Sequence, residues 1–256
     1  MGNLFGKVPK FLHSGALGDV IYSLPLVRAM DGGYLYLKKE NEYHKGSNFY
    51  EMLKRLLEEQ KYIKGVIEYP NTNIGQYHRD INITHDLDCF RKHPKVLSQN
   101  MASVYFDSFG LEYPGHEIPW LRVKKPRKEF EGYAVINRTF KYKTQFDWKK
   151  LHNEIVANFV DKVVFLGTKE EYLHYIQNIG FCKWEPTADI LEVAQIISSC
   201  AEVYCNQSVC LTIAQSLGKI YNLEVADGHD NCIYLTDNEH LLNRWTVLQP
   251  QMDIAT

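Results

Sequence analysis

HSGALGDVIYSLP, residues 13 to 25, sits between a short, partly apolar segment at 8–12 and an apolar-periodic stretch at 20–30. Strand, glycine turn and helix in that order form the opening of a Rossmann-like unit. In open α/β sheets ligands collect outside the carboxyl ends of the strands, and a helix N-terminus offers N–H groups with no partner inside the helix. Asp19 falls at the start of this helix. It reads equally as a cap of the helix and as a carboxylate placed at a ligand site, and the turn by itself leaves both readings open.

Outward from the turn the alternation continues. Residues 34–37 read as a strand, 48–60 as an amphipathic helix, 66–69 and 80–84 as further strands, and 96–109 as a helix. Three prolines and a cluster of charge then suggest a linker at 123–130, dividing an N-terminal domain, 1–122, from a C-terminal one, 131–256. The second part restarts with strands at 133–137, 162–166, 201–205 and 220–225 and helices at 148–159, 169–179, 189–199 and 209–217. The expected fold class is α/β, with two Rossmann-like domains built on parallel sheets.

Composition sets outer bounds. The chain has 256 residues, 45% hydrophobic and 23% charged, with a formal net charge of -2, so a sizeable core forms and no global positive field draws it to nucleic acid. Six cysteines occur, none in a C-x-x-C pair, which fits reduced thiols and a cytoplasmic location. Near the start, Gly6 stands where a myristoylation pattern needs Ser or Thr, and no basic and apolar leader precedes residue 13. No run of 18 apolar residues is present, so no stable membrane insertion is expected.

The turn Gly15-Ala16-Leu17-Gly18-Asp19, with Pro25 beyond it, resembles the G-x-L-G-D…P opening of the heptosyltransferase-like glycosyltransferases, glycosyltransferase family nine. The resemblance extends to Lys162–Glu171 and to residues 190–218, and overall spans about residues 8–225. It implies a GT-B arrangement, two Rossmann-like domains facing across a cleft. It also implies transfer of a sugar from a nucleotide-diphosphate sugar to a hydroxyl, inverting and metal-independent, with the nucleotide sugar as co-substrate and no bound cofactor. By position Asp19 takes the family's role of catalytic base, accepting the proton of the attacking hydroxyl.

Donor-side residues follow from the same resemblance. Gly15 and Gly18 shape the first turn. Gly167 with Glu170 or Glu171 matches the family's strand, glycine and acid segment, whose acid contacts the nucleotide. Asn206, Gln207, Ser208, Val209, Thr212 and Ala214 align with its N-D-[ST]-G-x-x-H-L-A loop. Here Gln207 replaces the family's Asp, Val209 its Gly and Thr212 its His, so the donor is expected to differ from ADP-heptose. The loop after the 133–137 strand carries Arg138, Thr139, Lys141 and Lys143, candidates for neutralising the leaving diphosphate. A solvated charged loop is the plainer reading. His13 is a candidate for the acceptor side, or a hydrogen-bonded structural histidine.

Asp86-Leu87-Asp88 is a D-x-D with His78, His85, Cys89 and His93 nearby. Such triplets are common by chance, and no metal site is expected. The acceptor is read as a glycan or lipopolysaccharide hydroxyl, or as a hydroxymethylated DNA base, which would have to be extruded from the duplex. A catalytically silent nucleotide-binding scaffold of the same fold is the alternative from another class.

Overall fold

The computed structural model describes residues 8–38, 49–69, 81–115, 119–233 and 245–248; of residues 38 and 245–247 only the backbone is described. Packing divides the chain into two compact units, Met1–Val96 with Met101–Tyr113, and Leu97–Asn100 with Pro114–Thr256. The proline-rich segment expected as a linker packs within the second unit. Trp120, Leu121 and Phe130 are buried, the Leu121 N–H donates to the Ser216 carbonyl (3.3 Å) and the Arg127 N–H to that of Gln195 (3.1 Å).

In the first unit β1 (Lys10–His13), β2 (Gly33–Lys38), β3 (Ile63–Tyr69) and β4 (His85–Asp86) form a sheet in the order β3-β2-β1-β4. Every pairing is parallel. Helix α1 (Leu17–Ala29) joins β1 to β2 and buries residues nearly all round, Leu17, Val20, Ile21, Leu24 and Val27 among them. A helix apolar on every side belongs in the interior. Asp31 (φ 64°) and Gly32 (φ 67°) turn the chain into β2; a Cβ on Gly32 would stand 1.9 Å from the Tyr62 carbonyl oxygen. Helix α2 (Phe49–Glu58) turns Phe49, Leu53, Leu56 and Leu57 inward.

Two expectations shift here. The strand expected at 80–84 is displaced: residue 80 lies outside the described residues, Asn82 has φ 52°, and the paired strand is His85–Asp86. Ile81 and Ile83 pack at the margin of a cluster around Leu12, Tyr36 and Tyr69. The helix expected from residue 96 begins later, as α3 (Met101–Ser108), because the chain first turns at His93–Val96 (Val96 N–H to His93 carbonyl, 3.1 Å).

The second unit holds β5 (Ala134–Asn137), β6 (Val163–Phe165), β7 (Lys183–Trp184), β8 (Glu202–Asn206), β9 (Ile220–Glu224) and β10 (Trp245–Leu248). They lie in the order β10-β9-β8-β5-β6-β7, parallel throughout. Helices α4 (Trp148–Asn158), α5 (Lys169–Asn178), α6 (Ile190–Ser199) and α7 (Val209–Ser216) connect them. Trp148, Ile155, Phe165 and Tyr175 share one core between the sheet and its helices. Strands β7 and β10 were not anticipated. The first is two residues long, too short for periodicity to register.

Each unit is thus a Rossmann-like α/β sheet with one topological switch point. In the first, the chain runs outward from β1 to β3 and then returns to lay β4 on the other side of β1. In the second it runs from β5 to β7 and returns to lay β8 beside β5. Switch points open a crevice at the carboxyl ends of the two diverging strands. Among the described residues no helix is long and apolar enough to cross a membrane.

Candidate functional site

At the first switch point the ends of β1 and β4 are stitched together by side chains. Asp88, just past β4, accepts the Ser14 N–H at 3.0 Å and also bonds the Ser14 hydroxyl. Asp19 lies in the first turn of α1, where its Oδ2 accepts the Ala16 N–H (3.0 Å). Arg91, from the 3-10 helix Leu87–Lys92, places Nη2 3.6 Å from Asp19 Oδ2 and Nε 3.9 Å from Asp88 Oδ1. Asp19 is therefore a cap of its helix, as one of the two open readings had it, yet a quarter of its side chain stays exposed. Burial pushes its carboxyl above the ordinary aspartate range, and the Ala16 N–H and Arg91 only partly offset this. Such a carboxylate is a stronger base than one in water.

Gly15 is set by close approach. A Cβ there would lie 2.4 Å from His13 Cε1 and 2.9 Å from Asp19 Oδ2. Gly18 lies within the first turn of α1. His13 is wholly buried, with Nδ1 2.8 Å from the Gly15 amide and Nε2 2.8 Å from the Tyr105 hydroxyl. Both ring nitrogens are engaged inside the protein, which is the structural role and leaves no edge for an acceptor. Burial holds its pKa down at about 4, outweighing the Asp88 carboxylate nearby, so the ring is neutral.

At the second switch point three strand ends converge. Asn206, buried at the end of β8, receives the Thr139 N–H on Oδ1 (3.1 Å) and donates from Nδ2 to the carbonyls of Thr139 (3.1 Å) and Lys141 (2.6 Å). Asn137, ending β5, donates to the Leu166 carbonyl (2.7 Å) and accepts from Ser208 Oγ (2.5 Å). Ser208 is the N-cap of α7, so its bond to Asn137 ties the N-terminus of that helix to the end of β5.

Arg138 is committed inward. Its Nε and Nη2 each lie 2.9 Å from the Glu224 carboxylate, which is wholly buried. Glu224 also accepts from the Thr144 N–H (2.7 Å), the Thr144 hydroxyl (3.0 Å) and Trp148 Nε1 (2.8 Å). A buried carboxylate with five donors is paired and solvated by the protein, and it fixes the whole 138–148 loop. On that loop Lys143 lies over the Phe140 ring at 4.7 Å; burial, then Arg138, push its ammonium below the ordinary lysine value. Tyr142 holds a left-handed φ of 56°, and its ring and that of Phe140 are exposed.

The remaining donor-side candidates divide. Gln207 is buried, with Nε2 donating to the His229 carbonyl (2.5 Å) and Oε1 accepting the Ala226 N–H (2.9 Å): it clamps the segment after β9. Thr212 is buried inside α7, its hydroxyl 3.4 Å from the Ser208 carbonyl. Gly167 (φ 150°) ends the β6 edge, where a Cβ would lie 2.9 Å from Glu171 Oε2. Glu171 completes the capping box of α5 with Thr168 (2.9 and 3.2 Å), whereas Glu170 in the same turn is exposed.

Sequence reasoning missed Asp88, Arg91, Tyr105 and Glu224. Asp88 belonged to a triplet read as chance; Asp86 proves to cap the 3-10 helix, its Oδ1 accepting the Asp88 N–H at 3.0 Å. An acid ending an otherwise apolar strand was the available signal for Glu224. Among the described residues no group of three His, Cys, Asp or Glu side chains is placed to hold a metal ion; His78 lies outside them.

No family model matches the sequence, and no curated protein matches it. Solved structures do. ADP-heptose lipopolysaccharide heptosyltransferase II of E. coli superposes with a TM-score of 0.60 at 12% identity, covering 96% of this chain and 94% of its own. E. coli heptosyltransferase WaaC, solved with ADP-2-deoxy-2-fluoro heptose, gives 0.57 at 10% identity over 93% and 91%. A family 9 glycosyl transferase from Veillonella parvula DSM 2008 gives 0.55 at 11% over 84% and 79%. The chain shares the heptosyltransferase-like fold.

Proposed function

We propose that this chain is a glycosyltransferase that moves a sugar from a nucleoside diphosphate sugar to a hydroxyl of a glycan acceptor of the lipopolysaccharide type. The observation that carries the proposal is Asp19: a partly exposed carboxylate, made more basic by burial, at the switch point of the first unit. In the reaction Asp19 takes the acceptor hydroxyl's proton while that oxygen bonds to the anomeric carbon. The bond from that carbon to the diphosphate oxygen breaks, and the nucleoside diphosphate leaves with the electron pair. One displacement with no enzyme nucleophile inverts the anomeric centre, and no metal is assigned to it.

The donor is assigned to the second unit, and the GT-B arrangement, with the two units facing across a cleft, belongs to the proposal. The first N–H groups of α7, Thr139 and Lys143 are the groups assigned to the diphosphate. Arg138 contributes by holding the loop, since Glu224 already neutralises it. WaaC is solved with an ADP-heptose analogue; Gln207 and Thr212, both spent on internal contacts, support a different sugar here. The same two residues support a second reading, a silent scaffold that keeps the fold without turnover.

A thermal-shift screen of nucleotide sugars tests this. A ligand bound only by the folded state raises the melting temperature by mass action. A hit incubated with glycan or with hydroxymethylated DNA is then expected to yield a glycan product of inverted anomeric configuration by NMR. Binding without transfer supports the scaffold, and no shift with any nucleoside diphosphate or nucleotide sugar overturns both readings.

A further inference from the structure

Tyr105 reaches Asp19 from α3, 86 residues along the chain, and its hydroxyl donates to the Asp19 carbonyl oxygen at 3.0 Å. The same hydroxyl faces His13 Nε2 at 2.8 Å. On the far side of the ring the Gly15 N–H points at His13 Nδ1, also at 2.8 Å. An amide can only donate, so Nδ1 is the acceptor and the proton of the neutral imidazole sits on Nε2. That proton goes to Tyr105 Oη, which leaves the phenol's own proton for the Asp19 carbonyl. The direction of the whole chain follows: Gly15 N–H to His13, His13 to Tyr105, Tyr105 to Asp19.

We propose that His13 and Tyr105 are positioning residues for Asp19, a buried relay that ties the two ends of the Gly15–Asp19 turn to α3 and so fixes where the carboxylate points. The inference rests on the glycosyltransferase reading for its catalytic consequence, but not for its geometry. Both side chains are wholly buried and Phe90 packs on each, 6.0 Å from the His13 ring and 4.7 Å from that of Tyr105. Every donor and acceptor in the relay is satisfied with the proton on Nε2, and the Asp19 backbone also takes a hydrogen bond from the His13 ring. Such a network specifies a single geometry, because breaking any link strands a buried polar group. Gly15 belongs to it twice over, as the donor that sets the tautomer and as the one residue small enough to stand against both His13 and Asp19. The groups facing the imidazole from outside the relay are Asp88, 3.5 Å from Nδ1, and Arg91; burial keeps the ring neutral against the Asp88 carboxylate, and Arg91 adds to it.

The experiment uses Tyr105→Phe, which keeps the ring packed on Phe90 and deletes only the hydroxyl, together with His13→Asn, which keeps an acceptor for Gly15 but cannot reach Tyr105. The relay predicts that each single variant lowers kcat by about tenfold with KM for the nucleotide sugar unchanged. The double variant should be no slower than the worse single one, since links of one chain are not additive. In the wild-type protein nitrogen-15 NMR should show the Nε2–H tautomer of His13, and Tyr105→Phe should move the titration of the Asp19 carboxyl. Single variants within twofold of wild type, multiplicative losses in the double variant, or an Asp19 titration indifferent to Tyr105→Phe would each overturn the relay. A wild-type protein that transfers no sugar, while its Asp19 titration still answers to Tyr105→Phe, sinks the glycosyltransferase reading and leaves the positioning intact.

Discussion

Asp19 caps α1 through the Ala16 N–H and yet sits where burial opposes its charge. The sign of the consequence follows from linkage. Burial raises its folded pKa above the ordinary aspartate value of 3.8, so between the two values the folded state holds the proton better than the unfolded chain does. Stability is therefore lost as pH rises through that window, and the loss is complete above the folded value. Asp19→Asn removes the charge and keeps an oxygen for Ala16. The variant is expected to melt higher than wild type at pH 7, with the gain shrinking to nothing below about pH 3.8; calorimetry across that range checks it. Glu224 is a wholly buried carboxylate with five hydrogen-bond donors. Glu224→Gln strands the Arg138 guanidinium and is expected to cost about 3–5 kcal/mol by urea unfolding. A loss under about 1 kcal/mol would mean that Arg138 finds water or another partner.

Elements were more legible than sites. Residues 13–25 announced β1, the turn and α1 because glycine, periodicity and a first-turn acid all point the same way there. The alternation after residue 133 was equally plain, since buried parallel strands are short apolar runs. What stayed hidden was whatever depends on pairing between distant segments. Asp88 meets Ser14 only because β4 returns to the far side of β1, and Glu224 meets Arg138 only because β8 and β9 return beside β5. In sequence Arg138 stood out among the loop cations by lying nearest the strand end, and only the tertiary contact shows that Glu224 already engages it. At this scale Asn206 is the latch of the loop that follows β5. Asn206→Ala should release the 138–144 segment, so that its amides, Thr139 and Thr144 among them, exchange with deuterium faster while the β5 and β8 amides do not. Unchanged exchange in that segment would show that Glu224 alone holds it.

On the scale of the molecule, two parallel sheets of different size each end in a crevice lined with polar side chains, and the two crevices are chemically unlike. The first offers a carboxylate flanked by a second acid and an arginine. The second offers helix N–H groups and the Lys143 ammonium, suited to an anion, beside side-chain amides already engaged internally. The proposed division of labour between acceptor activation and donor binding predicts that the two functions can be lost separately. Asp19→Asn is the most direct test, with transfer rate and nucleoside diphosphate affinity measured on the same preparation. Loss of a general base is expected to slow transfer by about 10²–10⁴-fold while the dissociation constant for the nucleotide stays within about twofold of wild type. Transfer that survives within tenfold, or nucleotide affinity that falls along with it, would contradict the assignment of Asp19 as the base.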